Sequence, residues 1–296
     1  MMGWRINQFE SQKILSTACD YGVNFIDSSV SYSRGYCHKI IGQALSNLKI
    51  RDEFIIATKV GGISDDNDPV YNRGYSKRNI IRQCELSLKQ LNIEKIDILQ
   101  LHYPAEEANN EEMLEALTIL LKQGKIDKFG VCNYDKNELN AFCESAVKNN
   151  YQLPISNQFE FNLLNYKNSQ SLFDACISKN LGTITWGPLS SGLLTDWYSS
   201  NTKIKPKSRL YHSRERELKF ELLEKPTTKE KLLLLSKLSK DTGVSSQLLA
   251  VSWILNKKPD NCVLIGPSNK KQLVELVSGN VMSNHSIISR LNTLAS

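Results

Sequence analysis

The 296-residue chain is 41% hydrophobic and 23% charged, with a net charge of +6; this is an ordinary globular composition and argues against disorder. Basic and acidic residues are interspersed along most of it, which speaks against a dedicated nucleic-acid surface, and no apolar run approaches membrane-spanning length. Seven cysteines form no CxxC pair, and the N-terminus MMGWRINQFES lacks the basic-then-apolar form of a signal peptide, so a reducing, cytoplasmic location is expected.

Short β-branched or apolar runs alternate with longer stretches of helical periodicity. In chain order the expected strands are VNFID (23–27), FIIATKV (54–60), IDILQLH (96–102), KFGVCN (128–133), ISNQFEFN (155–162), GTITWGPL (182–189) and CVLIGPS (262–268). Between them lie SQKILSTACDYG, HKIIGQALSNL, SKRNIIRQCELSLKQL, NEEMLEALTILLKQG, DKNELNAFCESAVKN and SQSLFDACISKN. Several of these end on Gly or Asn, as helix C-termini do, and Ser76 and Asn109 or Asn110 are expected N-caps. The segment 190–227 reads as one long loop rich in Lys and Arg, either solvated or a flap over an anionic ligand.

Strands alternating with helices predict a parallel sheet covered by helices. Seven units plus one more strand favour a single (β/α)8 TIM barrel over residues 1–296. The absence of GxGxxG after any strand counts against a dinucleotide-binding open sheet. Met1–Trp4 is the expected remnant of the first strand. The chain begins where that strand would be ending, so the strand is expected to be truncated, at a cost in stability or solubility.

Barrel chemistry sits at the C-terminal ends of strands. Here those ends carry Asp27, Lys59, His102, Asn133, Gln158, Trp186 and the Gly266-Pro267-Ser268 turn. Each has an ordinary explanation: Asp27 as a turn residue, Lys59 as its ion-pair partner, His102 as a satisfied loop histidine, Tyr32 as packing. Together an acid, an ammonium, an imidazole and a phenol at one barrel mouth can set one another's protonation. No His/Cys group has metal-ligand spacing, so no metal is expected.

FIDSSVSY, IIATKV, IDILQLHYP, LLKQGKIDKFGVCN, SNQFEFNLL and TWGPLSSGLLT occur in this order over nearly the whole chain. This series resembles the aldo-keto reductase superfamily. The resemblance implies an oxidoreductase moving hydride between NADP(H) and the carbonyl or alcohol carbon of a small aldehyde, ketone or sugar. It implies Tyr32 as general acid, Lys59 as the ammonium that lowers its pKa from ~10, Asp27 as the holder of Lys59, and His102 as the orienter of the carbonyl. It implies that Cys132, Asn133 and Gln158 meet the carboxamide and Trp186 stacks on the nicotinamide. Gly187, Leu189, Ser191 and Leu194 would follow the pyrophosphate, with Arg209 a basic contact in the long segment. Gly266, Ser268 and Gln272 would meet the adenosine-phosphate end, where a helix N-terminus with Lys270 and Lys271 favours NADP(H) over NAD(H).

The sequence departs from the family pattern in four places: Cys132 for serine, Asp196-Trp197-Tyr198 for Gly-Lys-Tyr, Leu276 for an adenine-contacting asparagine, and His38 for glutamate. RGYSKRNIIR, TWGPL and VLIGPSN also resemble the potassium-channel β-subunit branch, which implies a second possibility, a non-catalytic NADP(H)-binding regulatory subunit. His102 discriminates in part, since members of that branch often lack it. Substrate choice is expected to lie in 62–75, Tyr103–Asn110 and 190–227.

Overall fold

The seven expected strands are all present in the computed structural model: β1 (Phe25–Asp27), β2 (Ile55–Val60), β3 (Ile96–Leu101), β4 (Ile126–Cys132), β5 (Ser156–Glu160), β6 (Gly182–Trp186) and β7 (Cys262–Val263). Every residue is described except 1, 4, 63–73, 105–108, 202, 207, 213–215, 259 and 280–283. The helices are α1 (Gln8–Asp20), α2 (Tyr36–Leu48), α3 (Lys77–Leu91), α4 (Asn110–Lys122), α5 (Lys136–Lys148), α6 (Tyr166–Ser178), α7 (Arg216–Glu224), α8 (Pro226–Thr242), α9 (Ser246–Leu255), α10 (Lys270–Val277) and α11 (His285–Ala295). The strands follow one another in the sheet in chain order. The fold is therefore α/β, with a seven-stranded parallel sheet. Among the described residues no helix is long and apolar enough to cross a membrane.

Helix starts follow local chemistry. The Ser76 side chain accepts from the Asn79 amide and that of Asn109 from the Glu111 amide, supplying oxygens to otherwise unpaired helix N–H groups. Asp135 and Glu138 form a reciprocal capping box at α5. Proline opens α8 at a position where its missing N–H costs nothing.

Two compact units are distinguished. The first is Met1–Gln158 with Ala175–Gly182 and Gly266–Val277; the second is Phe159–Asp174 with Thr183–Ile265 and Ser278–Ser296. In the first, β1 to β4 and the start of β5 pair in parallel, with Asp27 opposite Ala57, Lys59 opposite Gln100, Gln100 opposite Gly130 and Cys132 opposite Gln158. Leu15, Ile26, Ile41, Ala44, Leu45 and Ile56 are in its buried core, which closes α1 and α2 onto the first two strands. Met2 bridges to Ile6, whereas Met1 and Trp4, the ends of the expected strand remnant, lie outside the described residues.

In the second unit β6 pairs β7, and the core is aromatic. Phe161 stacks on Trp253 at 5.5 Å and on Phe173 at 4.8 Å, while the Trp253 indole N–H donates to Asn292. The segment 190–227 is not the single loop expected. It contains 3-10 turns at Ser190–Gly192, Asp196–Ser199 and Leu210–His212, then α7. Burial of Leu210 and Leu223 and an ion pair from Lys219 to Glu160 at 2.7 Å tie this stretch down.

Candidate active site

Alternation along a strand puts every second side chain on one face. In the first unit this brings Asp27, Lys59, Gln100 and Gln158 into a connected polar cluster near the strand ends. Lys59 Nζ lies 2.5 Å from Asp27 Oδ2 and donates also to the Ser28 carbonyl at 3.2 Å. Asp27 Oδ1 accepts from Gln158 Nε2 at 2.8 Å and from Gln100 Nε2 at 3.3 Å. Gly130 keeps the next strand clear, since a Cβ there would come within 2.5 Å of Ser156 Oγ. Lys59 is 1% exposed. A charge so buried persists only when paired and hydrogen-bonded. Burial acts to lower the Lys59 pKa, but the Asp27 carboxylate, and after it Tyr32, more than offset this, and the net shift is upward.

Tyr32 begins the turn that follows β1. Ser33, Arg34 and Gly35 all take left-handed backbone conformations, which is unusual for serine and arginine and is the kind of strain found at functional sites. Glycine suits the third position, where φ is +75° and a Cβ would press on the end of the Gln90 side chain. The turn carries the Tyr32 ring back over the strand ends. Lys59 Nζ lies 5.3 Å from its centroid, and the His102 ring meets it edge-on at 5.8 Å. His102 also stacks on Tyr103 at 4.4 Å. Thus Asp27, Lys59, Tyr32 and His102 are adjacent.

The expected lowering of the Tyr32 pKa is not the net effect. Burial raises it to about 12, and the Lys59 ammonium acts in the opposite direction. Tyr32 nevertheless keeps 39% of its surface open, so water at the mouth moderates the desolvation, and the pull of Lys59 toward phenolate is what bears on chemistry. His102 is lowered to about 3, by burial first and Lys59 second. It is neutral at physiological pH. His38, fully buried and bonded to Thr58 and Gln90, is lowered to about 4, also chiefly by burial. Both histidines therefore bind protons more readily unfolded than folded. Stability is expected to be intact above about pH 6.5 and to fall as pH drops toward 4. Thermal melts across that range check this, and a His38→Gln protein is expected to show a shallower fall.

A family model described as "Aldo/keto reductase family" matches residues 1–284. The chain belongs to the aldo/keto reductase family. It is 30% identical over 281 residues to L-glyceraldehyde 3-phosphate reductase of Escherichia coli O157:H7, covering 92% of this chain and 79% of that one. It is 29% identical over 272 residues to a putative voltage-gated potassium channel subunit beta of Schizosaccharomyces pombe, covering 90% and 78%. Versiconal hemiacetal acetate reductase of Aspergillus parasiticus is 24% identical over 297 residues, covering 93% and 83%.

Proteins of the aldo/keto reductase family generally use a nicotinamide cofactor, and the residues expected from the sequence to meet one are described unit by unit. In the first, Asn133 takes a left-handed backbone conformation, and its Nδ2 donates to the His102 carbonyl at 3.0 Å and lies 3.3 Å from Cys132 Sγ. Gln158 points its amide N–H groups at Asp27 and Gln100. Its Oε1 lies 3.6 Å from Cys132 Sγ. The side chain thus braces the ion pair, a duty the sequence did not suggest. Burial pushes the Cys132 thiol up to about 12, so it stays protonated and can serve as a weak donor. Gly266 and Gln272 are exposed near the start of α10, and Gln272 Oε1 accepts from the Ser268 amide at 2.8 Å.

In the second unit Trp186 ends β6 partly exposed, Leu189 and Ser191 are partly exposed, and Arg209 is exposed. Gly187 has positive φ, and a Cβ there would meet Glu160 at 3.2 Å. Leu194 is fully buried, so its side chain belongs to the core and only its backbone could face a ligand. The stretch after β6, already expected to follow the pyrophosphate, carries a detail that the sequence alone does not show. Ser190 and Ser191 both have left-handed backbones, and the buried Ser190 hydroxyl has no hydrogen-bond partner among the described residues. A buried unpaired hydroxyl in a strained turn is a reason to expect a polar ligand group. This supports the pyrophosphate reading of GPLSSGLL, and the doubled serine was the signal for it.

Proposed function

We propose that this protein is an NADP(H)-dependent oxidoreductase of small aldehydes, ketones or sugars, built as a single (β/α)8 barrel and working in the cytoplasm. The observation that carries the proposal is the buried Asp27–Lys59 ion pair beside Tyr32, with neutral His102 at its edge. The cofactor would supply the hydride, held by Asn133, Trp186, Ser190, Ser191 and the Ser268–Gln272 turn. Lys270 and Lys271 favour the extra phosphate of NADP(H).

The remaining chemistry falls to side chains. A carbonyl oxygen gains negative charge as its carbon is reduced. His102 would donate a hydrogen bond to that oxygen and fix its direction. Tyr32, protonated at neutral pH, would deliver the proton. Lys59, kept charged by Asp27, lowers the cost of the phenolate left behind. The accessible edge of Tyr32 gives solvent a route to restore the proton. An L-glyceraldehyde 3-phosphate reductase among the relatives suits a small carbonyl substrate, and a channel subunit among them makes cofactor binding without turnover the competing outcome.

Purified protein mixed with NADPH and a panel of aldehydes, ketones and sugars is expected to consume NADPH with at least one of them. Tight NADPH binding with no consumption across the panel would overturn the enzyme reading in favour of the regulatory one.

A further inference from the structure

The FIDSSVSY turn places two hydroxyls where the proposed mechanism has no stated use for them. Ser29 is fully buried, and its Oγ lies 3.3 Å from Nδ1 of His102. It lies 2.9 Å from Ser31 Oγ and accepts from the Ser31 backbone N–H at 3.2 Å. The Lys59 carbonyl is a more distant acceptor at 3.4 Å. Space on this side of the imidazole is closed, because a Cβ on Gly62 would come within 2.3 Å of Nδ1 and 3.0 Å of Ser31 Oγ. Among the described residues Nε2 has no hydrogen-bond partner.

A neutral imidazole carries one N–H, and the tautomer is set by the bond the other nitrogen makes. A hydroxyl has two acceptor positions and one proton. If Ser31 fills both acceptor positions of Ser29, through its N–H and its O–H, the Ser29 proton is left for Nδ1. The imidazole proton then sits on Nε2, the nitrogen free to meet a ligand. The opposite arrangement, with Nδ1–H donating to Ser29, would leave Nε2 an acceptor. Facing a carbonyl oxygen, which only accepts, it would be useless.

We propose that Ser29, backed by Ser31, is a positioning residue that holds His102 as the Nε2–H tautomer and so makes it a donor toward the carbonyl oxygen. This rests on the reductase reading for its purpose and for the kcat readout, but the tautomer readout of its test does not. His102 acts on substrate; Ser29 acts only through His102.

The test is a long-range proton–nitrogen NMR spectrum of the ¹⁵N-labelled full chain at pH 7, with His102 assigned by the signals lost in His102→Gln. The wild type is expected to show a bare Nδ1 and a protonated Nε2. Ser29→Ala is expected to give tautomer-averaged nitrogen shifts and a kcat about tenfold lower, with the NADPH Kd within about twofold of wild type. A wild-type His102 protonated on Nδ1 overturns the proposal. So does a Ser29→Ala protein with unchanged tautomer and kcat. Should Ser29→Ala fail to fold, the wild-type spectrum decides alone. A protonated Nε2 in a protein that consumes no NADPH would sink the reductase reading and leave the Ser29 assignment standing.

Discussion

A Tyr32→Phe protein is expected to bind NADPH as the wild type does and to reduce carbonyl substrates roughly 10²–10⁴-fold more slowly. The ring would stay where it is, edge-on to His102 and near the Lys59 ammonium, so only the proton donor is lost. Stability is expected to change by less than about 1 kcal/mol, since Tyr32 is 39% exposed and anchors no core. Stopped-flow turnover and fluorescence titration of NADPH separate the two effects. A parallel loss of rate and cofactor affinity would assign Tyr32 to binding instead.

Asp27→Asn carries the second large expectation. The substitution keeps the shape of the side chain but strips Lys59, 1% exposed, of its counter-ion. Breaking a buried pair from one side costs about 3–5 kcal/mol, most of it the penalty of an uncompensated ammonium. The sign with pH follows from the shift. In the wild type Lys59 is raised, so the pair's stabilisation is fully present below the unfolded lysine value of ~10.4 and is lost only as pH rises through the higher folded value. In the variant the largest opposing influence, Asp27, is gone, so burial outweighs the weaker upward pull of Tyr32 and lowers the lysine pKa; stability then recovers as pH rises and the ammonium gives up its proton. Denaturant melts at pH 6 and pH 9 are expected to show a large gap from wild type at pH 6 that narrows at pH 9. A gap below about 1 kcal/mol at pH 6 would mean that the ion pair does not hold this part of the molecule together.

Much of the fold was legible because it depends on local pattern. Continuous apolar runs such as IIATKV gave strands buried on both faces, and Ser76 and Asn109 gave helix starts through a single hydrogen bond each. Pairing of Lys59 with Asp27 was legible too, since a buried lysine at one strand end demands a carboxylate nearby. What escaped depends on long-range geometry. α7 was unread because its register is fixed from outside, by Lys219 reaching Glu160 and by Leu223 entering a core, while Leu218 and Phe220 point outward and blur the helical stripe. The bracing duty of Gln158 was not foreseen because nothing in SNQFEFN says that its amide turns toward Asp27. The Tyr32 shift was read from the sign of Lys59 alone, and the larger desolvation could not be weighed without coordinates. Ser29 and Ser31 drew no reading from the sequence, and only the His102 ring, 3.3 Å from Ser29 Oγ, points to a role for them.

Tyr32 and His102 are proposed to assist hydride transfer from a bound nicotinamide to a carbonyl carbon. NADPH carrying deuterium at C4, supplied separately as its R and S forms, tests it with a responsive aldehyde or ketone and mass analysis of the alcohol. For the wild type one of the two forms is expected to place deuterium on the former carbonyl carbon, and Tyr32→Phe is expected to slow that labelling by the same factor as turnover. Deuterium from neither form, in protein shown to bind NADPH, would contradict it.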